Sequence, residues 1–198
     1  MRCAAIETIR AEHRSIATVL HGLRYFAERL PEDEGRPDCK IFRAMLYYLD
    51  AFPERFHHPK EDRYLFSRLR QRTTQAEAII SRLARDHAMG EDKIRALMQS
   101  VIRLEYGGDR YIDAVCAQAW SYSEMQFRHM GLEENIILPL AKRVLLAEDW
   151  SDIDAEFLEN EDPLFGVESK REFAQLFKRI LDLPRPEASE IAEPSAAD

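Results

Sequence analysis

Cysteine is scarce in this chain, and the three present, Cys3, Cys39 and Cys116, are odd in number, far apart and without CxxC spacing. That pattern excludes a disulfide frame and a zinc knuckle and reads as reduced thiols. A run of about 18 apolar residues is also missing, which excludes a membrane-spanning helix. The opening Met1-Arg2-Cys3-Ala4-Ala5-Ile6-Glu7 has no apolar core of the kind a signal peptide needs. Basic charge is in deficit: 28 Lys and Arg against 36 Asp and Glu leave a net charge of −8, whereas a nucleic-acid partner calls for a basic face. A soluble cytoplasmic protein with neither a membrane nor a nucleic-acid partner is expected.

What the chain does have is helical periodicity. At 198 residues and 45% hydrophobic content it can bury one good core, so one domain with appendages is expected. Ile6, Ile9, His13, Ile16, Leu20, Leu23, Ala27 and Leu30 alternate by three and four, the mark of a helix with one buried stripe. His21 falls off that stripe and is expected in solvent, and Pro31 to Pro37 ends the helix. A second helix begins near Asp38 with Phe42, Met45, Leu49, Phe52 and Phe56. Its later set, His57, Glu61, Leu65 and Leu69, is one residue out of phase, which predicts a kink or wide turn between Pro53 and Pro59.

Thr74-Gln75-Ala76-Glu77 has the capping-box pattern and opens a third helix with the stripe Ile80, Leu83, His87, Gly90, Ile94, Leu97, Val101 and Leu104. Gly90 costs about 1 kcal/mol relative to alanine, and it reads either as room for something bulky or as close packing of a neighbouring helix. After the turn Gly107-Gly108 and an N-cap at Asp109, a fourth helix carries Ile112, Val115, Ala119, Tyr122, Gln126, His129, Glu133, Ile136 and Leu140. Glu134, about 100° round the axis from Glu133, is expected to be solvated. Downstream come a cap-like Ser151, a short apolar segment with Ile153, Phe157 and Leu158, the loop 162–166, and a last amphipathic helix with Phe173, Leu176, Phe177, Ile180 and Leu181. The expected organisation is an all-α, up-down-up-down four-helix bundle over 1–148, a helical extension over 149–183 and a disordered tail over 184–198. The extension is expected to pack on the bundle or to pair two copies into a homodimer.

Chemistry concentrates at two copies of one spacing, His57 with Glu61 and His129 with Glu133. Residues four apart on a helix lie about 40° round the axis and about 6 Å along it, so each pair can grip one site. Gln126, His129 and Glu133 interrupt an apolar stripe, and a buried carboxylate needs a partner that takes its charge. His13 lies about 18 residues before the first loop and His57 about 19 after it, His87 and His129 lie about 20 either side of Gly107-Gly108, and at about 1.5 Å per residue all four reach one height. Independent core histidines rarely coincide in this way. More than four convergent ligands exceed a closed tetrahedral zinc shell, and the order His-x-x-x-Glu differs from the Glu-x-x-His of ferritin-like sites.

Glu12-His13, Phe56-His57-His58-Pro59-Lys60-Glu61, Asp86-His87 and His129-Met130-Gly131-Leu132-Glu133-Glu134, in that order over roughly residues 6–146, resemble the hemerythrin-like (HHE cation-binding) domains. The resemblance implies a four-helix bundle around a non-haem di-iron centre, oxo- or hydroxo-bridged. It implies Glu61 and Glu133 as bridging carboxylates and His13, His57, His87 and His129 as terminal ligands, with His58 or, as its competitor, Glu91 completing the set. His58 is the expected choice, because the Pro59 distortion can turn it inward beside His57. Oxygen-carrying members have a second histidine where this chain has Glu91 and an aspartate five residues on where this chain has Glu133 at four. In the fourth helix the chain looks closer to bacterial iron-centre repair proteins and to the iron-sensing domain of a ubiquitin ligase subunit. The expected function is binding or sensing of oxygen, nitric oxide or iron. The alternative is a redox enzyme acting on peroxide or nitric oxide, or an iron donor in iron-sulfur centre repair.

Overall fold

The computed structural model of the protein describes residues 4–32 and 39–158. Most of the Pro31 to Pro37 connection, the loop 162–166, the expected helix through Phe173 and the tail from Pro184 lie outside those residues. The described residues form five helical rods and no strand. Rod α1 is Ala4–Arg29. Rod α2 covers 39–72, beginning with Cys39–Ala51, and rod α3 is Glu77–Gly107. Rod α4 covers 112–144 and α5 is Ala147–Leu158. Around the bundle α1 packs against α2 and α4, and α3 against the same two, so the four long rods close a ring of neighbours. No described helix is long and apolar enough to cross a membrane.

The stripes expected for α1 and α3 are buried along their whole length. In α2 the phase changes where the prolines stand. Over Pro53–His57 the chain widens into a π turn: the His57 N–H reaches Phe52 O at 3.2 Å, and the His58 N–H reaches Pro53 O, each five residues back. One extra residue in the turn carries Phe56 out of the expected stripe, to 43% exposure, and brings Glu54, His57 and His58 inside. A second wide turn follows at Glu61–Phe66. A third, at Glu133–Ile137 in α4, corrects the sequence reading: Ile136 is 39% exposed, and Ile137 is the residue in the core. Two of these turns, Pro53–His57 and Glu133–Ile137, are followed two residues later by a proline, Pro59 and Pro139, whose missing donor and ring crowding favour a widened backbone before it.

Two end signals also differ from the sequence reading. The capping box at Thr74 does not form; α3 starts at Glu77 without a side-chain cap. The Gln75 N–H donates instead to Thr73 Oγ1, and the Glu77 carboxylate is occupied by Arg70 and Ser81. Gly108 takes the left-handed conformation (φ 78°) that glycine tolerates, and a short 3-10 turn, Asp109–Tyr111, precedes α4 in place of a cap by Asp109.

Ser151 lies inside α5, which begins at Ala147 and is started by Asp149. The Leu146 N–H donates to Asp149 Oδ2 at 2.9 Å, and Arg72 donates to both oxygens of the same carboxylate. Trp150, Ile153 and Phe157 then bury against Ile6, Ile9 and Leu65, while Leu158 is exposed. Asp149→Ala should lower the melting temperature by roughly 3 °C, the shift that follows from about one lost cap in a chain of this size. The hydrogen bonds from Arg72 hold the Asp149 carboxyl below the usual carboxylate range. The stabilisation is therefore present at neutral pH and lost as pH falls through that depressed value. The melting gap between wild type and Asp149→Asn should close in acid; a gap that stays constant there would show that Asp149 works without its charge.

The core is split into two apolar clusters. One contains Ile16, Leu20, Phe26, Phe42 and Leu97, the other Ile6, Ile9, Leu65, Ile80 and Ile137. Between them, at His13 on α1 and at His87 on α3, the stripe turns polar while remaining buried.

Candidate metal centre

The polar layer is built from all four long rods: His13 from α1, His57, His58 and Glu61 from α2, His87 from α3, and His129 and Glu133 from α4, all buried. His57 and His58 face inward together because the Pro53–His57 turn adds a residue. Ligand atoms of His13, His57, Glu61 and Glu133 lie within 4.8 Å of one another, as do those of Glu61, His87, His129 and Glu133, and those of His58, His87 and His129. Glu91 stands on the surface, where its carboxylate is paired with Arg95. His21 is exposed and lies against the Phe127 ring.

The two carboxylates each look two ways. Glu61 Oε1 lies 3.4 Å from His57 Nε2 and 3.9 Å from His13 Nε2, and its Oε2 lies 3.7 Å from His87 Nε2. Glu133 Oε2 lies 3.3 Å from His13 Nε2, and its Oε1 lies 3.2 Å from His129 Nε2. The layer thus has a His13/His57 side and a His87/His129 side, with one oxygen of each glutamate turned to each. His58 is on the second side, its ring stacked on that of His87 with centroids 4.2 Å apart.

Behind the histidines stand carboxylates. Glu12 on α1 accepts from His57 Nδ1 at 2.8 Å, and Asp62 on α2 accepts from His87 Nδ1 at 2.9 Å. Asp86 on α3 lies 3.9 Å from His129 Nδ1, and Glu134 on α4 accepts from His13 Nδ1 at 2.9 Å. Three rods therefore hydrogen-bond the histidine of the next one, while α3 sets Asp86 near His129 without a hydrogen bond to it. His58 has its support within its own rod, from Glu54 Oε2 at 3.2 Å. An Nδ1–H given to a carboxylate fixes the neutral tautomer and turns the Nε2 lone pair inward, the arrangement that metal-binding histidines use. Glu134, expected in solvent, is a correction: its carboxylate is half-exposed, yet it is engaged with His13.

This arrangement fits a bound cation. Both oxygens of Glu61, both of Glu133 and His13 Nε2 are buried without a hydrogen-bond partner. His87 Nε2 and His129 Nε2 face each other at 3.0 Å, a contact between two acceptors when the ring protons sit on Nδ1. Burial and the charge of Glu133 push the Glu61 carboxyl well above its ordinary range. Burial acts on Glu133 in the same sense, but His129 and His13 outweigh it and hold that carboxyl well below its ordinary range. Burial and the neighbouring His87 and His129 drive His58 well below the usual histidine value, toward the neutral form a metal ligand needs. Two acidic and five imidazole groups turned inward are the donor set of a transition-metal site rather than of a hard, oxygen-only cation.

Sequence reasoning missed Glu54, Asp62, the supporting role of Glu134 and the reason for Gly90. A signal for two of them was present: both α2 and α4 read His-x-x-x-Glu followed at once by a second acid, Asp62 or Glu134. In α1 and α3 the acid stands directly before the histidine. A family model described as hemerythrin HHE cation binding domain matches residues 4–141. No protein with a curated description matches the chain.

Proposed function

Because the chain belongs to the hemerythrin HHE cation-binding domain family, we propose that the buried layer holds two iron ions and that the protein binds or senses a small diatomic ligand, oxygen or nitric oxide, through them. Glu61 and Glu133 would bridge the pair, with His13 and His57 on one ion and His58, His87 and His129 on the other. The observation that supports this reading most is the division of each glutamate's oxygens between two histidine groups. Iron, when bound, supplies one-electron exchange and affinity for small ligands. The protein's own part is to hold neutral imidazoles in place, to surround them with an apolar core and to keep carboxylate charge close by.

That charge favours sensing over reversible carriage. Glu12, Glu54, Asp62, Asp86 and Glu134 make the imidazoles more basic and so stabilise the ferric state, and where oxygen carriers have a further histidine this chain has Glu91 facing Arg95. Anaerobic iron loading followed by optical spectra on adding oxygen, nitric oxide or peroxide tests the reading. Two irons per chain, a change of spectrum with nitric oxide, and rapid autoxidation in air are expected. A stable, reversible oxygenated form in air would show carriage instead, and repeated consumption of added peroxide would show an enzyme.

A further inference from the structure

The correspondence between α2 and α4 breaks at two positions of the layer. Aligning His57-x-x-x-Glu61 with His129-x-x-x-Glu133 sets His58 against Met130 and Glu54 against Gln126. The extra histidine and the extra carboxylate thus occur on the same rod, four residues apart, across the wide turn Pro53–His57. Glu54 is buried among groups that all turn toward it: the Tyr122 hydroxyl donates to Oε1 at 2.7 Å and Gln126 Nε2 donates to it at 2.9 Å, leaving Oε2 for His58 Nδ1 at 3.2 Å. Gly90 on α3 forms the floor of this seat. A Cβ at position 90 would stand 2.6 Å from Glu54 Oε1 and 2.7 Å from Oε2, closer than real contacts allow. The glycine is required by the carboxylate, since its φ is not in the left-handed range.

We propose that Glu54, seated against Gly90 and fixed by Tyr122 and Gln126, is the positioning residue that makes His58 a metal ligand, and so gives one metal a third nitrogen that the other lacks. The proposal rests on the dinuclear reading above. Its physical basis is the occupation of Oε1. With two donors on Oε1, Oε2 is left for His58, and in the ionised carboxylate it accepts there, so that His58 carries its proton on Nδ1 and presents Nε2 inward. An amide at position 54 keeps the volume but inverts this logic: its oxygen satisfies Tyr122 and Gln126, and its NH2 then faces Nδ1 and calls for the tautomer whose Nε2 is protonated and cannot ligate. Loss of such a supporting partner typically weakens metal binding 10- to 100-fold.

The test is titration of the metal-free full chain with Co(II), a spectroscopically visible probe, in wild type, His58→Ala, Glu54→Gln and Gly90→Ala, with circular dichroism as the check on folding. Wild type should take two equivalents. In all three variants one equivalent should bind as in wild type and the other at least about tenfold more weakly. Glu54→Gln is isosteric, so it remains informative if Gly90→Ala does not fold. A role for Glu54 in bundle packing alone predicts unaltered metal binding by Glu54→Gln, and two wild-type affinities in that variant would overturn the proposal. A wild type that takes only one equivalent would overturn the dinuclear reading and this one with it.

Discussion

Glu61→Ala and Glu133→Ala should each reduce bound iron from two per chain to one or fewer, whereas Glu91→Ala should leave it unchanged. Each of the first two removes both oxygens through which the His13/His57 and His87/His129 groups are linked. The remaining glutamate would be the only carboxylate left to link the two histidine groups and to offset the repulsion between two cations held there. Glu91 lies on the surface with Arg95 and loses nothing from the layer. Elemental analysis of the purified variants after iron loading decides the matter. Normal iron in both Glu61→Ala and Glu133→Ala would refute the bridging assignment.

The residues of the layer were legible because helix periodicity and distance from the turns are both set by backbone geometry. In α1 and α3, which are unbroken α-helices, every stripe residue expected from the three-four count is buried, His13 and His87 included. The count fails at the wide turns, where one inserted residue rotates everything after it. In α2 the mismatch of two apolar sets exposed the insertion. In α4 the sequence offers both Ile136 and Ile137, so a wrong phase looks as apolar as the right one, and only Pro139 hinted otherwise. The supporting carboxylates were harder to read, since Glu12, Asp62 and Glu134 each hydrogen-bond a histidine on another rod, and the acid repeated within each rod does not say which histidine it serves. Glu54 was the least legible of all, because its seat needs the wide turn of α2, the gap at Gly90 and Tyr122 from α4 at once.

Removing the metal should cost the fold heavily, with the melting temperature of the chelated protein about 10 °C below that of the loaded one. Ligand present at about 1,000 times its dissociation constant stabilises a fold by about 4.1 kcal/mol, and in a chain of this length each kcal/mol moves the midpoint by about 2–4 °C. The polar layer separates the two apolar clusters of the core, so without a cation the bundle is asked to keep its buried Glu61 and Glu133 oxygens unpartnered in the middle. Metal-free protein should for the same reason gain stability from Glu61→Gln, which replaces a carboxyl that burial and Glu133 disfavour ionising by a neutral amide of nearly the same volume, while the loaded protein should lose it. Scanning calorimetry of wild type and Glu61→Gln, each with iron and after chelation, gives all four values. A melting temperature that does not respond to chelation, or a Glu61→Gln effect of the same sign in both states, would mean that the layer is satisfied by the protein alone and that metal binding is not what pays for it.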